Sequence, residues 1–579
     1  MARVMRLARE ANLLGMNAQH GLEAFEMSAE QGRTNRRSFL KGVGLVGSLL
    51  ALEACKSRDF NSSVSSNKSD DRVAILGGGV AGLTTAFHLA RNNVGCTIYE
   101  GSERIGGRIY TKFDFIKGTR GNQFCELGAE LVDSTNEELL SLKDMLNQEL
   151  KSHPEFPSLM LQTEDFVKDE TDTKYEMELF YFGGRVRTAR ELFLGMRGLI
   201  ASVDKDIKQM FPSGQTDAIT YLTNNSPAME KFDRMTLAQY FDSKKDLAES
   251  WVINAFRGSY LTEYGGDLDK QSALNFLLLA DTDLTDAEFT WYGASDEAMR
   301  IKGGNERIIK ALLAYLHTKR DLVDIQLGHK LSHIATNGSR LTLGFSSGKT
   351  VQVPRAVCCL PFSTLRGVDG IGALGIKSKK MESIKNFQYG MNSKFMVGFN
   401  NRFWREGSGT IPKMIGTVTT DLPIGMFWET SRLQTQGFES GILTNFLGGQ
   451  VGATVTEARL DTILKDLKTI YSVSDASRLK PVAHVLQAWP QLPWSKGSYS
   501  CPAPGAYTSY LGIEREPELE GKLLFAGEHV SYEWMGFMNG AIQSANLAAA
   551  RILGDFNLVP FAQAQIKARR RWKSRRVSK

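Results

Sequence analysis

The feature that most constrains the fold is a glycine-rich turn between a short apolar strand and a helical pattern. Val73-Ala74-Ile75-Leu76 leads into Gly77, Gly79 and Gly82, which have the spacing G-x-G-x-x-G. Glycines there permit a tight turn, close approach of the backbone to a pyrophosphate, and close helix–strand packing. Glu100 closes the next apolar run, 100 − 82 = 18 residues past the last glycine. A carboxylate at that distance binds ribose hydroxyls and disfavours a 2′-phosphate. The pattern predicts an α/β dinucleotide-binding fold.

Further motifs show a family resemblance. Arg104-Ile105-Gly106-Gly107-Arg108 follows the second strand, and Glu126-Leu127-Gly128-Ala129 comes after a loop. More than four hundred residues past the glycine turn lie Ala526-Gly527-Glu528-His529 and Trp534-Met535-Gly536-Phe537-Met538-Asn539-Gly540. These motifs together resemble the flavin-containing amine oxidase family, which includes monoamine, polyamine and L-amino-acid oxidases. The resemblance implies that the two ends of the chain grip one FAD, rather than NAD.

The resemblance and the change of pattern along the chain predict the domain organisation. Amphipathic helices are expected at 137–150, 190–211 and 237–256, with a helix at 306–317 and strands at 324–333, 340–345 and 356–361. The expected fold class is α/β, with a Rossmann-like FAD-binding domain interleaved with an α+β substrate-binding domain that carries a helical insertion. The predicted segments are a signal (1–55), a linker (56–71), FAD-binding parts (72–135, 295–370, 501–560), a mainly helical substrate part (136–294), its sheet part (371–500) and a basic tail (561–579).

Three side chains are predicted to act in catalysis. Lys394 begins an apolar run, where a lysine alone would indicate a solvated strand edge. The resemblance implies instead that it holds a water against flavin N5. Tyr499 and Phe537 match the two walls of an aromatic cage, although Phe537 replaces the tyrosine of monoamine oxidases and an ordinary core role stays open for it. Ser498 stands where monoamine oxidases carry the cysteine that bonds to the flavin, so FAD is expected to be noncovalent.

The resemblance also assigns the cofactor contacts. Glu528 is expected to bind the ribityl chain, the backbone near Leu331 to receive the adenine, and a helix beginning near Asn539 to point its N-terminus at flavin N1 and C2=O. No metal site is expected. The predicted cofactor-binding residues are Gly77, Gly79, Ala81, Gly82, Glu100, Arg108, Gly128, Ala129, Leu331, Glu528, Phe537 and Met538.

The expected reaction is hydride transfer from the α-carbon of a C–N bond to flavin N5, imine hydrolysis, and reoxidation by oxygen with release of peroxide. The 128–133 turn contains no arginine to clamp a carboxylate, which favours an amine over an amino acid, although Arg300 or an arginine of the helical part could substitute. An acidic pocket of Glu130, Asp133 and Glu297 would suit polyamines. For Glu297 and Arg300, a structural ion pair at the domain junction is favoured over a place facing the substrate cavity. The alternatives are a desaturase, a protoporphyrinogen-oxidase-like enzyme, or a flavoprotein scaffold.

The N-terminal region resembles an export signal. Asn35-Arg36-Arg37-Ser38-Phe39-Leu40-Lys41 is similar to the twin-arginine pattern, and a short uncharged stretch follows it. This predicts export of a folded protein by the twin-arginine translocase to the periplasm or beyond. Leu52-Glu53-Ala54-Cys55 leaves two alternatives open, a lipid anchor at Cys55 or ordinary cleavage after Ala54. Either Met1 or Met27 could be the start.

Charge and cysteine content point to no further chemistry. The net charge is 70 − 64 = +6, and much of the excess lies in residues 567–576, which we interpret as a solvated end rather than a nucleic-acid or lipid site. The six cysteines show no metal-ligand spacing. Cys358 and Cys359 lie side by side in an apolar strand, so they are expected to be buried thiols that point to opposite faces.

Overall fold

The computed structural model describes residues 71–118, 121–153, 155–166, 176–212, 219–282, 295–407, 409–434 and 439–554. The predicted export motif at Arg36 and Arg37, Cys55, nearly all of the linker and the basic tail lie outside these residues. Over the described part of the chain, no helix has the length and apolar character needed to cross a membrane.

The strands are numbered β1 to β19 in chain order. They are β1 Val73–Leu76, β2 Cys96–Tyr99, β3 Thr111–Gly118, β4 Gly121–Glu126, β5 Thr163–Asp165, β6 Glu176–Phe182, β7 Arg185–Arg187, β8 Met299–Ile301, β9 Val323–Gln326, β10 Leu331–Asn337, β11 Arg340–Phe345, β12 Thr350–Val353, β13 Ala356–Cys358, β14 Ser393–Phe399, β15 Met414–Thr420, β16 Met426–Glu429, β17 Gly441–Leu447, β18 Pro481–Ala488 and β19 Leu523–Phe525.

The α-helices are numbered α1 to α14, and short 3-10 turns are left unnumbered. They are α1 Val80–Arg91, α2 Glu137–Leu150, α3 Ala189–Met210, α4 Pro227–Arg234, α5 Leu237–Asp242, α6 Ser250–Tyr264, α7 Ala273–Leu277, α8 Glu306–Thr318, α9 Phe362–Leu365, α10 Ser378–Asn386, α11 Gly449–Thr454, α12 Arg459–Tyr471, α13 Ala506–Ser509 and α14 Met538–Leu553.

A five-stranded parallel sheet carries the glycine-rich turn. Its strand order is β19-β13-β1-β2-β9, with β1 in the centre. All four residues of β1 are buried, as expected for a strand covered on both faces. Since the strands are parallel, their carboxyl ends meet at one edge, where open α/β sheets bind ligands. That edge gathers Gly77, Glu100 and Glu528 from segments far apart in the chain.

A second, seven-stranded sheet has the order β18-β14-β17-β16-β15-β6-β7. The pairing of β15 with β6 is parallel and the other pairings are antiparallel. β6 and β7 come from the segment predicted to be mainly helical, so that segment also supplies two strands to this sheet. The three-stranded sheet β10-β11-β12 and the pairs β3-β4 and β5-β8 complete the described strands.

The structure confirms the predicted mixed α/β class and corrects several predicted elements. α2 matches the predicted helix at 137–150, and α3 lies within one residue of 190–211 at each end. The single helix predicted at 237–256 is wrong, because α5 ends at Asp242 and α6 begins at Ser250 after a 3-10 turn. The strand predicted at 324–333 is two strands in different sheets, β9 and β10, separated by a turn at Gly328.

Candidate active site

The glycine-rich turn leaves space beside an open helix end. α1 begins at Val80 with Gly79 as its N-cap, without a side-chain cap and without an acidic residue in the first turn. A Cβ on Gly82 would lie 2.1 Å from the Gly77 carbonyl oxygen, so the turn closes only around glycine. A Cβ on Gly79 would meet no described atom nearer than Cα of Gly107, at 3.9 Å. The uncapped N–H groups and this space suit a phosphate group.

Glu100 lies directly beside the glycine turn. Its Oε2 accepts a hydrogen bond from the Gly78 N–H at 2.8 Å, and its Oε1 accepts from the backbone and hydroxyl of Ser102, each at 2.8 Å. The Glu100 carbonyl accepts from the His329 N–H at 2.8 Å, which brings the segment that enters β10 at Leu331 next to it. The structure thus places the predicted ribose residue and the predicted adenine segment together.

An ion pair joins the two ends of the chain. Arg108 Nη1 lies 2.9 Å from Glu528 Oε1 and also donates to the Ser498 carbonyl at 2.6 Å. Glu528 Oε2 accepts from the Ser500 hydroxyl at 2.6 Å and from the Gly536 N–H at 2.8 Å. Burial acts to raise the pKa of Glu528, but Arg108, His529 and the Ser500 hydroxyl together hold that pKa below its usual range. Glu528 therefore organises the predicted flavin segments around its carboxylate.

A second open helix end belongs to α14. Phe537 is its N-cap, Met538 is its first residue, and the first turn contains neither a capping side chain nor an acid. Asn539 Oδ1 accepts from the Leu139 N–H at 3.0 Å, while its buried Nδ2 has no partner within the part of the chain that the structure describes. Free N–H donors and a positive dipole end favour an electron-rich acceptor such as the pyrimidine edge of a flavin.

The Gly128-Ala129-Glu130 turn after β4 is held by Asn305. Asn305 Nδ2 donates to the carbonyls of Ala129 and Glu130 at 3.0 and 2.8 Å, and the Asn305 N–H donates to Glu126 Oε1 at 2.7 Å. A Cβ on Gly128 would lie 1.9 Å from the Arg108 carbonyl oxygen. The turn is therefore fixed against both the Arg108 segment and the junction that precedes α8.

Lys394 is buried at this turn rather than exposed at a strand edge. It is the second residue of β14, which is paired on both sides, by β17 and β18. Its Nζ lies 2.7 Å from Glu130 Oε2 and donates to the carbonyls of Gly128 at 2.9 Å and Glu126 at 3.3 Å. Lys394 thus lies beside the predicted flavin turn. Its carboxylate partner, Glu130, was not predicted from the sequence.

Tyr499 and Phe537 lie at neighbouring positions. The Tyr499 hydroxyl donates to the carbonyls of Glu263 at 2.6 Å and Thr262 at 3.2 Å, both in α6. A Cβ on Gly536, the residue before Phe537, would lie 3.6 Å from the Tyr499 ring. The Phe537 ring packs edge-on against Trp534 at 5.7 Å and 77°. The side chain of Ser498 is fixed by a hydrogen bond to Asn392 Oδ1 at 2.6 Å and offers no thiol.

Glu263 and Glu297 act on Tyr499, and Asp133 acts on both of these carboxyls. Burial raises the pKa of Glu263 to about 8, and repulsion from Glu297 and Asp133 adds to it. Burial raises the pKa of Glu297 to about 7, again with repulsion from Asp133. Burial and the Glu263 carboxylate raise the pKa of Tyr499 well above its usual value. Within the described residues, none of these three carboxyls forms an ion pair.

Two buried arginines stack on the same ring. Arg300, 1% exposed, pairs with Glu164 at 2.6 Å and donates to the Thr430 carbonyl at 3.0 Å, so it does not form the ion pair with Glu297 considered above. Its guanidinium lies 4.8 Å from the Phe166 ring centroid, and that of Arg432 lies 3.9 Å from it. Arg432 Nε is buried and has no hydrogen-bond partner in the described chain.

The residues present fit FAD. The uncapped end of α1, the space at Gly79 and the Glu100 carboxylate suit the pyrophosphate and ribose. The uncapped end of α14, with the unpartnered Nδ2 of Asn539, suits the flavin. When bound, FAD would supply the hydride acceptor that the protein side chains lack.

The family model for flavin containing amine oxidoreductases matches residues 80–553. The chain therefore belongs to this family and is an FAD-dependent oxidoreductase of amines. Because Ser498 replaces the thiol, its FAD is noncovalent.

Individual relatives agree with this family. The chain is 23% identical over 517 residues to amine oxidase [flavin-containing] B of Sus scrofa, covering 86% of this chain and 88% of that protein. It is 25% identical over 490 residues to an L-amino acid dehydrogenase of Synechocystis sp., covering 83% and 94%. A solved structure of wild-type putrescine oxidase bound to putrescine matches with a TM-score of 0.64 at 19% identity, covering 84% of this chain and 99% of that one, and shows the shared fold.

Several residues at this site were not predicted from the sequence. Trp428 donates its indole N–H to Glu130 at 3.3 Å, and its ring lies 5.4 Å from Lys394 Nζ. Glu263 and Arg432 were also missed. Their neighbours lie far away in the chain, so no local motif marks them. Only the alternation of Trp428, Thr430 and Arg432 along and beyond β16 could have suggested that they share a face.

Proposed function

We propose that this protein oxidises a C–N bond of a cationic amine, with hydride transfer from the α-carbon to flavin N5, hydrolysis of the imine to a carbonyl compound, and reoxidation by oxygen to give hydrogen peroxide. Lys394, Tyr499 and Phe537 are the proposed catalytic residues. The observation that carries the proposal is the group of Glu263, Glu297 and Asp133 beside Tyr499. Their mutual repulsion would be relieved by an ammonium group, and the faces of aromatic rings also attract a cation.

The side chains have separate tasks in this proposal. Tyr499, fixed through its hydroxyl to two α6 carbonyls, would orient the amine against the flavin together with Phe537. Glu297 would accept the proton that the ammonium loses before hydride transfer, since its pKa is raised to about 7. Glu263, with its pKa raised to about 8, keeps its own proton at neutral pH. Glu528 and Arg108 would hold the cofactor in place.

The test is an anaerobic titration of the FAD-loaded protein with a diamine, a monoamine and L-amino acids, followed by peroxide detection in air. The diamine or monoamine is expected to bleach the flavin absorbance without oxygen and to yield peroxide in air. A desaturase, a protoporphyrinogen-oxidase-like enzyme or a scaffold would keep an oxidised flavin with every amine, and that result would refute the proposal.

Arg432 favours a second candidate, an L-amino acid as substrate. The Nε of its guanidinium is buried and has no hydrogen-bond partner among the described residues. In the chain, Arg432 comes after Trp428 and Thr430, which both donate hydrogen bonds to Glu130. A guanidinium fork of this kind suits a carboxylate. Arg300 is a weaker clamp because it is already tied to Glu164 and Thr430. If the second candidate holds, Arg432→Met abolishes flavin reduction by amino acids and leaves reduction by amines unchanged.

We also propose export through the twin-arginine translocase, supported by Arg36-Arg37 and the uncharged stretch after them. Substituting both arginines by lysine should retain the protein in the cytoplasm. Mass spectrometry of the mature N-terminus decides between a lipidated Cys55 and cleavage after Ala54, and export of the double-lysine variant would contradict the proposal.

A further inference from the structure

The charge of Lys394 is matched within the protein itself. The Lys394–Glu130 pair has a 2.7 Å contact, and the two residues are 6% and 5% exposed. An ammonium has three protons to donate. All three have acceptors here, because Glu130 Oε2 and the carbonyls of Gly128 and Glu126 surround Nζ. A water bound to this ammonium would have to displace one of these contacts.

Glu130 is itself held in a fixed position. Its Oε1 accepts hydrogen bonds from the Thr430 hydroxyl and the Trp428 indole N–H, and its carbonyl accepts from Asn305 Nδ2. Burial acts to raise the pKa of Glu130, but the charge and hydrogen bond of Lys394, the Thr430 hydroxyl and the charge of Arg300 together hold that pKa below its usual range. The carboxylate is therefore an ionised, oriented partner rather than a neutral neighbour.

We infer that Glu130 is a positioning residue that keeps Lys394 as a net-neutral ion pair beside the flavin and so sets the reduction potential of the flavin. The inference rests on the proposed function for the placement of Lys394 at the flavin. A lone buried ammonium would stabilise reduced, anionic flavin, because charges interact strongly where water is excluded. The carboxylate cancels that effect and holds the lysine pointing into the 128–130 turn.

Other charged and titratable groups face this pair from each neighbouring element. They are Glu126 and Cys125 at the end of β4, Glu297 and Arg300 at β8, and Arg432 after β16. At pH 6, burial keeps Glu126 and most of Glu297 protonated, so comparison of the wild type with its variants at that pH isolates the contribution of the pair.

The test uses the FAD-loaded protein with the variants Glu130→Gln, Lys394→Met and the double variant. Glutamine keeps an oxygen for Trp428 and Thr430 but removes the charge. The midpoint potential is measured between pH 6 and 9 by equilibration with a redox dye, which requires no amine. Glu130→Gln is expected to favour flavin reduction about tenfold at pH 6, equal to about 30 mV for two electrons.

The double variant is expected to restore the wild-type potential, since it removes both charges. Glu126→Gln is the matched control. Burial raises the pKa of Glu126 to about 8, so at pH 6 the substitution replaces one neutral group with another. The midpoint potential of the flavin should therefore stay unchanged in this variant. A Glu130→Gln potential equal to that of the wild type at pH 6 would overturn the inference.

If Glu130→Gln fails to load FAD, the double variant is expected to load it, and failure of both would also overturn the inference. Because no amine is used, a positive result stands even if no amine reduces the wild-type flavin, which would refute the proposed function alone.

Discussion

Gly79→Ala separates folding from cofactor binding. Gly79 has φ −75° and ψ 179°, which alanine adopts without strain. The new Cβ would have no described neighbour nearer than 3.9 Å, so the protein itself has room for it. FAD bound at the α1 end would not have that room, because the pyrophosphate must approach this backbone closely. Overpacking of this kind costs about 1–3 kcal/mol, which corresponds to roughly 5- to 150-fold weaker binding.

The assay is a titration of the apoprotein with FAD, followed by flavin fluorescence, together with thermal unfolding of the apoprotein. Gly79→Ala should bind FAD more weakly by that factor while the apoprotein unfolds within about 0.5 kcal/mol of wild type. Gly554→Ala is the control. Its Cβ would meet no atom of the described residues within 4 Å, but its φ is +67°, so the substitution should lower stability and leave FAD affinity unchanged. Wild-type affinity in Gly79→Ala would refute the placement of the pyrophosphate.

Three further predictions concern the buried polar groups. Lys394→Met should slow flavin reduction by amine or reoxidation by oxygen at least tenfold, roughly the loss of one charged contact, and stopped-flow rates equal to wild type in both half-reactions would show that the lysine assignment is wrong. Because its pKa is raised to about 7, Glu297 ionises as the pH rises through neutrality. The KM for a diamine should therefore fall between pH 6 and 8, and this fall should be smaller in Glu297→Gln. A pH profile of the variant equal to that of the wild type would exclude Glu297 from substrate binding. Glu126 has its pKa raised to about 8 in the folded state, whereas in the unfolded chain it loses its proton near pH 4.5. Between these two pH values the folded state binds more protons than the unfolded chain. The free energy of unfolding therefore falls by about 4–5 kcal/mol as the pH rises from the lower value to the higher one. Urea unfolding at pH 5 and pH 8 should show a smaller difference in Glu126→Gln, and an equal difference would contradict the raised pKa.

Local patterns predicted the parts of the fold that depend on neighbouring residues. α2 and α3 were predicted within one residue because their apolar period is uninterrupted. The break between α5 and α6 was not predicted, since Tyr240 and Phe241 before it and Trp251 and Val252 after it are all buried, and the apolar pattern runs on across the turn.

The candidate site was likewise predicted only where its residues lie close together in the chain. The glycine turn and Glu100 belong to one continuous segment, so their spacing alone predicted their proximity. The contact between Lys394 and Glu130 joins residues 264 apart in the chain, and neither residue has a local signal for the other. Such a pair depends on how β14 packs against the turn after β4, which a single sequence does not encode in any short motif.

The most direct test of amine oxidation is the absorbance of the bound flavin when an amine is added without oxygen. A diamine or monoamine is expected to reduce the flavin fully, and admitting air should restore its absorbance with release of peroxide. A flavin that dithionite reduces but that every amine and amino acid leaves oxidised would contradict amine oxidation by this protein.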